Sequence, residues 1–115
     1  MSENGKPASL LLGGDGMVPG LANVAPALFV ELQSAADHGA AADCARLQQR
    51  ISDLAQVYRQ GPWLAALKAA CAALGLGNGR PAPPLVPGTP ADREAVRALL
   101  EGAGLMAPAG AERAR

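Results

Sequence analysis

Apolar positions recur through the middle of the chain at spacings of three and four, the interval that stacks side chains on one face of a helix. The clearest run covers residues 40–60, where Cys44, Leu47, Ile51, Leu54 and Tyr58 form one stripe and Gly61-Pro62 ends it. An earlier helix opens at Asn23 or Ala25, with Pro26 in its first turn, where a missing N–H has no helical partner to lose. Leu28, Phe29, Leu32 and Ala36 share its face, and Gly39 closes it. Pro62 starts a third helix, with Leu64, Leu67, Cys71 and Leu74 on one side and Gly75 as its stop. A fourth carries Val96, Leu99, Leu100 and Ala103, with Gly102 and Gly104 closing it. Thr89 and Asp92 stand three apart at its start, a capping box with aspartate in the glutamate place.

The segments between these helices read differently. Residues 77–90 hold Gly77, Gly79, Gly88 and five prolines, which exclude regular structure and predict an extended connector. The stretch 10–26, LLLGGDGMVPGLANVAP, packs four glycines and two prolines around an apolar Met17-Val18 pair. That pair predicts a short strand within residues 16–19, which Pro19 keeps from running far into a sheet. A lone strand cannot satisfy its own N–H and C=O groups, because those bonds run to neighbouring strands. Either the segment is not a strand in this chain or its sheet lies elsewhere. Residues 1–7 are polar and unpatterned, and the residues after Leu105 are alanine, proline, glycine and charge; both ends are expected to be disordered or frayed. The pattern therefore predicts a mostly helical chain of four helices and at most one short strand.

Composition adds that this helical chain has a thin core. Its 115 residues include 26 alanines against 29 leucine, isoleucine, valine, methionine, phenylalanine, tryptophan and tyrosine residues together. Alanine favours helix but buries little area, so at roughly 25 cal/mol per Å2 such a core stabilises weakly and wants a partner surface. Ten basic and ten acidic residues cancel, and no run of one sign offers the basic patch that nucleic acid requires. No apolar stretch approaches the roughly 20 residues of a membrane span, and the start MSENGKP lacks the regions of a signal peptide. A cytoplasmic protein is expected. Two cysteines, Cys44 and Cys71, make no disulfide framework and read as free thiols on apolar helix faces.

Candidate chemistry is sparse. The GGDG turn tempts toward phosphate, since glycine lets backbone N–H groups approach an anion at a helix start. It lacks a following Gly-Lys-Ser/Thr and a G-x-G-x-x-G register, so a tight turn into a strand is the better reading. His38, the single histidine, precedes Gly39 at a helix C-terminus, where its side chain meets the negative end of the dipole. One histidine and two separated cysteines give no metal-ligand spacing. Lys68 reads as a solvated helix residue, and Tyr58 with Trp63 as packing of the helices flanking Gly61-Pro62. No catalytic residue, cofactor or metal site follows from these positions.

The order of these pieces carries more than any one of them. GGDGMVPGLANVAP, two helices, GPWLAALKAACAALGL and RPAPPLVPGTPADREAVRALLEGAGL together resemble the C-terminal part of the dihydrodipicolinate synthase / N-acetylneuraminate lyase family. The resemblance implies an α/β ancestry, a fragment of a TIM (β/α)8 barrel with a helical extension. It implies a divergent or disordered start over 1–9, the last barrel strand and helix over 10–39, the helical extension over 40–105 and a flexible tail over 106–115. Within it, residues 15–19 correspond to the eighth strand, Val18 offers a backbone carbonyl to the bound 2-oxo acid, and residues 26–38 form the eighth helix. The family's activity is a lyase or aldolase reaction through a pyruvate-type Schiff base on a lysine of the sixth strand. Neither Lys6 nor Lys68 matches that lysine, and Tyr58 and Thr89 do not match the family's tyrosine relay or its Gly-Thr loop. The resemblance thus implies a truncated member that is not catalytic alone. Its implied partners are a 2-oxo acid in the parent family and a second copy or a complementary barrel fragment. The alternative is a non-enzymatic helical interaction or oligomerisation module, with a small phosphate-binding protein ranked last.

Overall fold

Five helices form among residues 6–107, the part of the chain that the computed structural model describes, with side chains from residue 9 onward. They are α1 (Lys6–Leu11), α2 (Pro26–Asp37), α3 (Ala41–Leu54), α4 (Trp63–Ala73) and α5 (Pro90–Gly102). Short 3-10 turns cover Gly20–Asn23 and Ala55–Arg59. The chain divides into two compact units after Ala55. This spatial division falls later than the boundary expected between residues 39 and 40, because α3 packs against α2.

In the first unit α1 also packs against α2 and α3, and the Gly20–Asn23 turn packs on α2. Leu21, Leu32 and Ile51 lie fully buried, with Leu28, Phe29, Cys44, Leu47 and Leu54 nearly so. Burying such aliphatic or aromatic side chains stabilises by about 1.5–3 kcal/mol each. In the second unit α4 packs against α5. Its core holds fewer large side chains, namely Val57, Leu67, Val96 and Leu100, together with Ala65, Ala66, Ala69 and Ala70. Small side chains here fill the core with less apolar area.

Four of the five helix ends follow one device. Gly13 takes φ +102°, which an L side chain adopts only with strain. From there the Gly13 N–H donates to the Leu10 carbonyl (3.1 Å) and the Gly14 N–H to the Ser9 carbonyl (2.9 Å), closing α1 in a Schellman motif. The same pair of bonds recurs at Gly39, Gly75 and Gly104 after α2, α4 and α5. At the start of α5, Thr89 Oγ1 accepts from the Asp92 N–H (3.1 Å) and Asp92 Oδ2 accepts from the Thr89 N–H (2.9 Å), the expected capping box.

Four expectations are corrected. Among the described residues there is no strand: residues 14–19 are irregular, since Met17 and Val18 have no neighbouring strand to bond. Helix α1 forms within the stretch expected to be divergent or disordered, giving five helices rather than four. Leu10, 8% exposed, anchors it and Gly13 closes it, while residues 1–5 lie outside the described part. The long helix of residues 40–60 is α-helical only to Leu54 and continues as the Ala55–Arg59 turn. Three residues per turn then bury Val57, three after Leu54, in place of Tyr58. Finally, α4 buries its alanines and Leu67, while Leu64, Cys71 and Leu74 are only half-buried. The expected tail falls, from residue 108, outside the described residues.

Candidate functional site

The implied site residue Val18 lies on a segment held at both ends. Upstream, buried Leu10 and the Gly13 cap fix the end of α1. Downstream, the Pro19 carbonyl accepts from the Ala22 N–H (3.2 Å), Asn23 Nδ2 donates to the Gly20 carbonyl (3.0 Å), and Leu21 is fully buried. Between these anchors Asp15 is exposed and Val18 fully so, while Met17 is half-buried. Among the described residues, no backbone N–H from Asp15 through Val18 donates to another backbone group. Chemically, this is a short run of free amides and carbonyls on a fixed frame.

The glycines before it do other work than either sequence reading gave them. The Gly13 and Gly14 amides are spent on the last carbonyls of α1. The turn is a helix stop, neither an anion cradle nor a turn into a strand. His38 behaves as its position predicts. Its Nδ1 lies 2.7 Å from the Ser34 carbonyl, near the end of α2. A carbonyl only accepts, so Nδ1 carries a proton and donates it. A groove of about 300 Å3 beside it is lined by Glu31, Asp43 and Arg46, the last two paired at 3.7 Å. Among the described residues, no three His, Cys, Asp or Glu side chains gather as metal ligands would.

On α4, Lys68 is exposed. Cys71 sits three residues on, half-buried, and burial pushes its thiol up while the Lys68 charge partly opposes the shift. Cys44 is buried at 2% exposure. Neither cysteine is therefore set in the open, electropositive surroundings that make a thiolate nucleophile. Tyr58 and Trp63 meet edge to face with ring centroids 6.3 Å apart and planes at 69°. The Thr89 hydroxyl is engaged in its capping box. The structure thus leaves these residues in separate structural roles.

One feature lay beyond sequence reading. A groove of about 550 Å3 opens between α4, the connector and α5, with Ala65 and Ala69 as its floor and Arg80 and Arg93 on its lining. The signal was present only as two cations bracketing a proline-rich loop, 13 positions apart.

Among the described residues, no helix is long and apolar enough to cross a membrane. No curated protein matches the chain at a significant level. The family model of the dihydrodipicolinate synthetase family matches residues 3–103, from ahead of α1 to the C-cap of α5. A match over nearly the whole chain shows that it belongs to the dihydrodipicolinate synthetase family.

Proposed function

We propose that this chain supplies the last strand-and-helix step and the C-terminal helical layer of a barrel of this family, without forming the Schiff base itself. The observation that carries the reading is the run of unmade backbone bonds around Val18, anchored on both sides and exposed. Such a run is completed by neighbouring strands, and a complementary barrel portion in the cytoplasm is the occupant that the family suggests. Val18 would then turn its carbonyl toward a pyruvate-type 2-oxo acid held by the partner portion. A Schiff-base lysine has to be shielded from water on an inner strand. Lys68 is exposed on α4, and Lys6 is the first residue of α1, so neither stands on an inner strand.

The test is trapping. Incubation of the full chain with pyruvate and borohydride is expected to leave its mass unchanged; an adduct at Lys6 or Lys68 would overturn the reading. A second reading, a helical oligomerisation module, is favoured by Trp63, Leu85 and Val86, which are 62%, 50% and 65% exposed around one apolar groove of about 300 Å3. That reading predicts a defined oligomer in sedimentation with cooperative unfolding. It also predicts that the amides from Asp15 to Val18 stay open to hydrogen exchange when a barrel portion is added.

A further inference from the structure

We propose that the groove between α4, the connector and α5 binds a small organic carboxylate with an apolar body. Its volume of about 550 Å3 lies within the range of about 300–1,000 Å3 of small-molecule sites. The floor is made by Ala65 and Ala69, whose short side chains give the groove its depth. Its walls are Pro81, Pro83, Pro87 and Leu85. Proline rings carry no N–H and have a fixed φ, so these walls are apolar and already ordered before a ligand arrives.

Charge supplies the second half of the argument. Arg80 and Arg93 line the groove and no carboxylate does. Among the described residues, neither guanidinium is in a salt bridge, whereas Arg97, one turn after Arg93, is held by Glu101 at 3.3 Å. Arg93 is pre-set, because its Nη1 donates to the Gly88 carbonyl at 2.9 Å and leaves the remainder of its fork free. The Arg80 backbone is likewise fixed, its N–H donating to Asn78 Oδ1 at 2.9 Å. Asp92, beside Arg93 in sequence, has Oδ2 engaged on the Thr89 N–H. A planar fork that is positioned and unpaired matches a carboxylate in a bidentate manner. The proline and leucine walls favour an apolar body over a bare inorganic anion.

This inference stands apart from the barrel reading and is tested on the full chain, labelled with 15N. Benzoate is the probe, benzamide its neutral counterpart and inorganic phosphate the anion without an apolar body. Benzoate is expected to shift the amides of Asn78, Arg80, Gly88 and Arg93 saturably, with benzamide and phosphate each weaker by about tenfold or more, the scale of one charge-assisted bond. Arg80→Gln is expected to weaken benzoate about tenfold while the remaining spectrum is unchanged. It is the cleaner variant, because Arg93→Gln also releases the Gly88 carbonyl. Equal responses to benzoate and benzamide, an unaltered Arg80→Gln titration, or phosphate binding as tightly as benzoate would each overturn the proposal. So would the absence of a saturable shift at those amides.

Discussion

Helices α3 and α4 are of similar length, yet they hold the molecule in opposite ways. In α3 the apolar residues Cys44, Leu47, Ile51 and Leu54 all turn inward, Gln48 and Ser52 lie half-buried, and the other polar residues turn out. In α4 the inward face is alanine with Leu67, and Leu64, Cys71 and Leu74 remain half-exposed. One helix is fixed by the area it buries. The other leaves apolar area to spare, so small side chains settle which face turns in. A stripe of large residues predicts a buried face only when the rest of the helix is polar enough to be excluded from the core.

The contrast can be broken most directly at Ile51. Ile51→Ala removes a fully buried side chain and is expected to cost about 2–5 kcal/mol, enough to leave a small chain largely unfolded. Leu64→Ala in α4 is expected to cost less, about 1–2 kcal/mol, because part of that side chain already meets water. Urea titrations followed by far-ultraviolet circular dichroism compare the two, with Ile51→Val as a milder variant of about 0.5–1.5 kcal/mol. Equal losses at Ile51 and Leu64 would refute the assignment of faces.

The alanine face makes the converse prediction. Ala70 is fully buried, and Ala70→Leu is expected to destabilise by about 1–3 kcal/mol by overpacking. Fluorescence of Trp63, at the start of α4, reports that loss. A neutral or stabilising Ala70→Leu would mean that the alanine face has room, and that large side chains were not excluded from it. Next in size is the start of α5. Neither α3 nor α4 has a side-chain N-cap, whereas α5 has the reciprocal Thr89–Asp92 pair. Thr89→Ala is therefore expected to cost about 1 kcal/mol.

These differences explain what could be read from the sequence. The faces of α3 and α5 were legible because polar residues separate their apolar positions, and the capping box because its partners lie three residues apart. The inward face of α4 was not, since WLAALKAACAA interrupts its apolar surface only at Lys68. Val57 replaced Tyr58 because the period shortens from 3.6 to about 3 in a 3-10 turn, which no α-helical spacing anticipates. Gly13 and Gly14 were misread because a left-handed glycine looks alike in sequence whether a helix ends there or a strand begins. Helix α1 itself was hidden by its polar, proline-containing start. The order of pieces sufficed to point to the family. The arginine groove could not be read, because only the folded connector gathers Arg80 and Arg93 around two alanines of α4.

Each of the two contrasted helices carries one thiol, and the smallest predicted effect uses both. Cys44 lies in the closed stripe of α3, and Cys71 on the half-open side of α4. Iodoacetamide is expected to modify Cys71 in the native chain and Cys44 only after unfolding, as peptide mapping by mass would resolve. Burial holds the Cys71 thiol above its ordinary range, with Lys68 opposing only in part. Its labelling rate should therefore keep rising past about pH 8.5, where an unburied cysteine begins to level off. The same shift fixes the sign for stability. A folded-state pKa above the unfolded one means that the native chain holds this proton more tightly. Its contribution is complete below the unfolded thiol's pKa and is lost as pH rises through the folded value. Alkaline conditions should thus loosen α4. Labelling of Cys44 at the rate of Cys71 would show instead that the α3 stripe opens as readily as the face that never closed.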